Sequence, residues 1–174
     1  EFAQRVLVRR TRIKDGFYVQ GVYPRPPLGC TVFIRFEITV PWRIDVDLFT
    51  HNGGVSISGV EGAVEVETRS GNVDLADTLG PAKLFTAAGM VRAGGVEGAI
   101  DAESGQGLIA IEASSGHIRA RTARGDISMV DCEGDLRART YQGDIRLLAA
   151  RGGADLETAD GHIEARFDAL RNPT

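Results

Sequence analysis

Along most of the chain, apolar residues fall two apart, and each such pair follows a glycine. Glycine stands at 53, 62, 71, 80, 89, 98, 107, 116, 125, 134, 143, 152 and 161, an unbroken spacing of nine. Two residues after each come Val55, Val64, Val73, Ala82, Val91, Ile100, Ile109, Ile118, Ile127, Leu136, Ile145, Ala154 and Ile163. Four residues after each, from Ile57 and Val66 to Leu156 and Ala165, the slot is apolar again. A period of two puts both side chains on one face of an extended chain, so each unit predicts a strand and a turn, not a helix. Glycine suits the turn because it alone takes positive φ without a Cβ penalty.

A longer period overlies the first. The sixth position alternates between a hydroxyl column, Thr50, Thr68, Thr86, Ser104, Thr122, Thr140 and Thr158, and a mixed column, Gly59, Asp77, Gly95, Ala113, Asp131 and Ala149. The true repeat is therefore eighteen residues, two half-coils of nine. One half-coil cannot bury its apolar face, but like strands stacked about 4.8 Å apart bury it between them. The expected fold is all-β: a single-domain parallel β-solenoid of about seven coils.

The phase holds back to Val46 and Leu48, which places the solenoid at residues 43–168 with a short tail at 169–174. Upstream the register breaks. Residues 5–23 read as two strands joined by a turn at Lys14-Asp15-Gly16, Pro24, Pro26 and Pro27 make a connection, and residues 32–40 alternate one position out of phase. Six of the eleven aromatic residues lie in residues 1–40, so residues 1–42 are expected to form a β-strand cap over the first coil.

Composition narrows the partners. Twenty basic against twenty-four acidic residues give a net charge of −4, the wrong sign for a protein that grips phosphate backbones, so no nucleic acid is expected. No apolar run reaches the roughly 18 residues of a membrane span, and none is expected within the chain. Cys30 and Cys132 are too far apart for metal-type spacing, and whether they pair is open.

Outward positions on the threonine-bearing face read Glu65/Glu67, Lys83/Phe85, Asp101/Glu103, Arg119/Arg121, Arg137/Arg139 and Asp155/Glu157. Cross-strand charge pairs explain most of this row. Arg119, Arg121, Arg137 and Arg139 are also a candidate patch for an anionic glycan or another partner. At the turns, Asp126, Asp144 and His162 should be successive neighbours, and Gly-Asp chemistry there means side-chain bonds to backbone N–H more often than a metal. The repeat lacks the second glycine and the regular aspartate of calcium-loaded β-rolls. Ser114-Ser115-Gly116-His117 has no orienting acid. Asp101 and Glu103, roughly 7 Å apart along a strand, have the spacing of a glycosidase pair, but Glu65/Glu67 and Asp155/Glu157 repeat it. The expectation is a noncatalytic chain with no cofactor and no metal.

The phrases Thr50-His51-Asn52-Gly53-Gly54-Val55, Thr68-Arg69-Ser70-Gly71-Asn72-Val73 and Thr140-Tyr141-Gln142-Gly143-Asp144-Ile145 resemble the bacterial adhesin-type domain of unknown function also called toastrack, over roughly residues 32–167. The resemblance implies a β-solenoid of cell-envelope or extracellular proteins with no established reaction, so no catalytic residue carries over. Two expectations follow: an envelope or surface module for adhesion or protein contact, or a self-assembling element forming homo-oligomers or filaments through its strand edges. A polysaccharide-acting enzyme is the weakest reading.

Overall fold

The computed structural model of the protein describes residues 7–13, 16–22 and 36–168. The chain divides into two compact units, residues 1–39 and 40–174. In the first, β1 (Leu7–Ile13) and β2 (Gly16–Val22) form an antiparallel pair in which Leu7 faces Val22 and Ile13 faces Gly16. Both strands were expected. The turn residues Lys14 and Asp15, the proline connection, Cys30 and the 169–174 tail lie outside the described residues. Of the segment 32–40, expected to be a strand, residues 32–35 lie outside the described residues, and 36–40 join no sheet among them. Alternation alone makes no strand where no neighbour supplies the ladder, and Pro41 has no N–H to offer one.

From Val46 onward the chain is a parallel β-solenoid of about seven turns. Its strands are β3 (Val46–Asn52), β4 (Val55–Glu61), β5 (Val64–Ser70), β6 (Val73–Leu79), β7 (Ala82–Ala88), β8 (Val91–Glu97), β9 (Ile100–Gln106), β10 (Ile109–Glu112), β11 (Ser115–Arg124), β12 (Ile127–Val130), β13 (Glu133–Gln142), β14 (Ile145–Asp160) and β15 (Ile163–Phe167). From β3 to β12 each pairs with the strand two on, in register at eighteen residues: Val64 with Ala82, Ile100 with Ile118, Ile127 with Ile145. β3, β5, β7, β9, β11 and β13 stack on the threonine side, and β4, β6, β8, β10 and β12 stack on the other, where β15 also pairs with the start of β14. The sixteen-residue β14 runs through both, pairing β12 with its first residues and β13 with its last, so the two stacks form one thirteen-stranded sheet.

The glycines are required twice over. Gly107 has φ +149°, and a Cβ there would collide with the carbonyl oxygen of Gly89, one coil earlier. The same approach recurs in the other corner column, where a Cβ on Gly116 would meet the carbonyl of Gly98. Coils separated only by the sheet spacing leave no room for a side chain at these corners.

Behind each corner the two apolar slots turn inward. In the central coils Ile109, Ile111, Ile118, Ala120, Ile127 and Met129 are fully buried, and removing each large side chain from water stabilises the fold by roughly 1.5–3 kcal/mol. The two sixth-position columns then part company. On the threonine side alternation continues, and Thr68, Thr86, Ser104, Thr122 and Thr140 are buried. On the other side Gly59, Asp77, Gly95, Ala113, Asp131 and Ala149 all have φ between +47° and +67°. One left-handed residue bends the strand and resets its alternation, so the next residue, for example Thr78, Val96 or Cys132, points into the core.

Candidate functional site

The threonine face presents its charges in rows because the pairing holds one register throughout. Asp101 and Glu103 on β9 lie beside Arg119 and Arg121 on β11, these beside Arg137 and Arg139 on β13, and these beside Asp155 and Glu157 on β14. The expected block pattern is therefore realised, and it contains one step in which two basic rows are adjacent. The four arginines line a shallow, open depression of about 80 Å³.

Ion pairs link the arginines to their flanks. Arg119 Nη1 lies 3.9 Å from Asp101 Oδ2, and Arg137 Nη2 lies 3.4 Å from Asp135 Oδ2. Arg139 is held twice, by Asp155 at 3.3 Å and Glu157 at 3.2 Å. Among the described residues no acid lies within 4.0 Å of Arg121. Asp135 is shared, since its Oδ2 also lies 3.1 Å from His117 Nδ1. All these groups are partly exposed, so each pair contributes about 0–1 kcal/mol.

A separate ladder runs down a corner. Asn72 accepts the backbone N–H of Met90 at 2.9 Å, Asp126 that of Asp144 at 2.9 Å, and Asp144 that of His162 at 2.8 Å. Asp126, Asp144 and His162 are successive neighbours as the column predicts. The side-chain to backbone bonding is of the expected kind, but it reaches the next coil rather than a local N–H. The N–H of His162, with its ring nearby, holds the Asp144 carboxyl below the usual carboxylate range. Among the described residues no cluster of three His, Cys, Asp or Glu side chains has metal-ligating geometry.

The remaining candidates separate. The buried Ser114 hydroxyl donates to the Glu112 carbonyl at 2.8 Å and accepts the Val96 N–H at 3.2 Å, whereas His117 is exposed and pairs with Asp135. The serine is thus occupied with the backbone. Cys132 occupies the inward column with Ser114, its Sγ 3.5 Å from the Val130 carbonyl. Burial pushes its thiol pKa up.

Sequence reasoning missed the partner of the hydroxyl column. Thr86 donates to the carbonyl of Gly71, Ser104 to Gly89, Thr140 to Gly125 and Thr158 to Gly143, each at 3.0 Å. The signal was present: a hydroxyl three residues before every second glycine. In this column the glycine carbonyls from Gly71 to Gly143 are each capped by a hydroxyl of the next coil.

These features define a β-solenoid with polar, register-locked outer faces. No family model matches the chain, nor does any curated protein or solved structure. No helix among the described residues is long and apolar enough to cross a membrane.

Proposed function

We propose that the protein is a noncatalytic cell-envelope or surface module whose threonine face makes contacts in adhesion or protein binding. The observation that carries this reading is the register-locked set of charge rows Asp101/Glu103, Arg119/Arg121, Arg137/Arg139 and Asp155/Glu157 on a sheet whose core is packed solid. Side chains fixed on a rigid sheet lose little further entropy on docking, which favours a contact surface. The resemblance to the adhesin-type toastrack domain supports the location. Purified chain immobilised on beads should adhere to envelope polysaccharide, host-type glycan or protein surfaces, and reversing Arg119, Arg121, Arg137 and Arg139 to glutamate should abolish adhesion. Unchanged adhesion after reversal would remove the face from the contact, and catalytic turnover of any of these polymers would overturn the noncatalytic reading.

A second reading has its own observation. Every residue of β15 is exposed, including Ile163 and Phe167, so the last strand offers an apolar row and unpaired backbone groups. A second copy pairing there would give oligomers or filaments. Light scattering with negative-stain microscopy across a concentration series tests this. Growth that Ile163→Lys with Phe167→Lys suppresses supports it, and a monomer at every concentration overturns it.

A further inference from the structure

The arginine step on the threonine face is electrostatically unfinished. Along β5, β7, β9, β11, β13 and the end of β14 the outward rows run acidic, basic, acidic, basic, basic, acidic. Like charges placed directly opposite on neighbouring strands destabilise a sheet, yet Arg119 faces Arg137 and Arg121 faces Arg139. Strict alternation would have put acids in one of these rows.

Donor arithmetic shows the same imbalance. A guanidinium carries five N–H donors. Across the four arginines, contacts with acids shorter than 3.5 Å number one at Arg137 and two at Arg139. Arg119 reaches its acid only at 3.9 Å, and Arg121 has none within 4.0 Å among the described residues. Asp101 engages the quartet from β9 and Asp155 and Glu157 engage it from β14, while Asp135 reaches Arg137 along β13 itself. All four arginines line the shallow, open depression of about 80 Å³.

We propose that this quartet binds a tetrahedral oxyanion, the sulfate or phosphate ester of a glycan. An anion seated between the two basic rows neutralises the like-charge step and takes up free donors with charge-assisted hydrogen bonds, for which the planar guanidinium fork is suited. Flanking acids repel extended polyanions, so the site favours an isolated ester group over a continuous phosphate backbone. The inference rests on the threonine face being the contact surface and names the chemistry it contacts.

The test is calorimetric titration of the full chain with a sulfated tetrasaccharide, its desulfated form, a phosphorylated sugar and inorganic sulfate. Expected is saturable binding of the sulfated or phosphorylated sugar that weakens as salt rises, with no binding of the desulfated form. Arg121→Ala and Arg137→Ala should each weaken it by about tenfold or more. Arg92→Ala, in the other stack on β8, should leave it unchanged, and circular dichroism checks that each variant is folded. Equal loss in Arg92→Ala, or no saturable binding, would overturn the site. Inorganic sulfate binding as tightly as the sugar would overturn the glycan as its source. If beads still adhere through this face while all four titrations are flat, the contact surface stands and the oxyanion site falls.

Discussion

Thr140 and Thr68 occupy the same column and the same strand position, yet their hydroxyls have different surroundings. Thr140 donates to Gly125, whereas the buried Thr68 Oγ1 has no partner among the described residues. Replacing Thr140 by valine strips the Gly125 carbonyl of its donor and should destabilise the protein by about 1–3 kcal/mol. Thr68→Val removes an unsatisfied hydroxyl and should be neutral or slightly stabilising. Chemical denaturation of both variants reads the contrast, and equal losses would show that the column acts by shape rather than by hydrogen bonding. Ala113 makes a second case. It holds φ +47° in a column where Gly59 and Gly95 hold φ +67° and +64°. An alanine in that conformation costs about 1–2 kcal/mol, while glycine gives back about 0.4–1 kcal/mol through the freedom of the unfolded chain. Ala113→Gly should therefore raise stability by up to about 1.5 kcal/mol, seen as a higher melting temperature. A lower one would show that the Ala113 methyl group contributes more by contact than the strain costs.

At the scale of a single corner, the Asp126, Asp144 and His162 column ties three successive coils through their backbone N–H groups. The Asp144 carboxyl is held below the usual range first by the His162 N–H, with the His162 ring and Arg146 adding to it. A carboxylate with a depressed folded-state pKa stabilises the fold at pH values above about 3.9, its unfolded value. That stability is lost as pH falls through the folded value. Melting temperatures followed from pH 6 downward should fall less steeply in Asp144→Asn, whose amide oxygen keeps the acceptor without titrating. Identical slopes would mean that other carboxylates govern acid unfolding. The column was readable in advance as a row of neighbours, because a residue after each second glycine must recur every eighteen positions. That its bonds run from coil to coil was not, since local Asx turns use the same residue types and spacing.

Across the whole molecule, stability should be graded along the stack. Each coil touches only its neighbours; the central coils bury every inward side chain, and β15 buries none. Amide hydrogen exchange should find the slowest protons between Ile100 and Leu147 and fast exchange in Ile163–Phe167. Uniform protection would mean that the last strand is covered in solution, as the self-assembly reading requires. The nine- and eighteen-residue periods alone were enough to establish a parallel β-solenoid of about seven turns and the neighbour rows of the arginine quartet. The pattern is one-dimensional, so equal spacing along the chain becomes equal position in the stack. Three features needed the folded coordinates. They are the hydroxyl of Thr140 meeting a carbonyl fifteen residues back, the left-handed bend at Ala113, and β14 running through both stacks. Each depends on the direction in which the backbone turns at a corner and on which coil then lies alongside. Periodicity carries neither, because the same spacing is compatible with more than one hand of winding and more than one shape of coil.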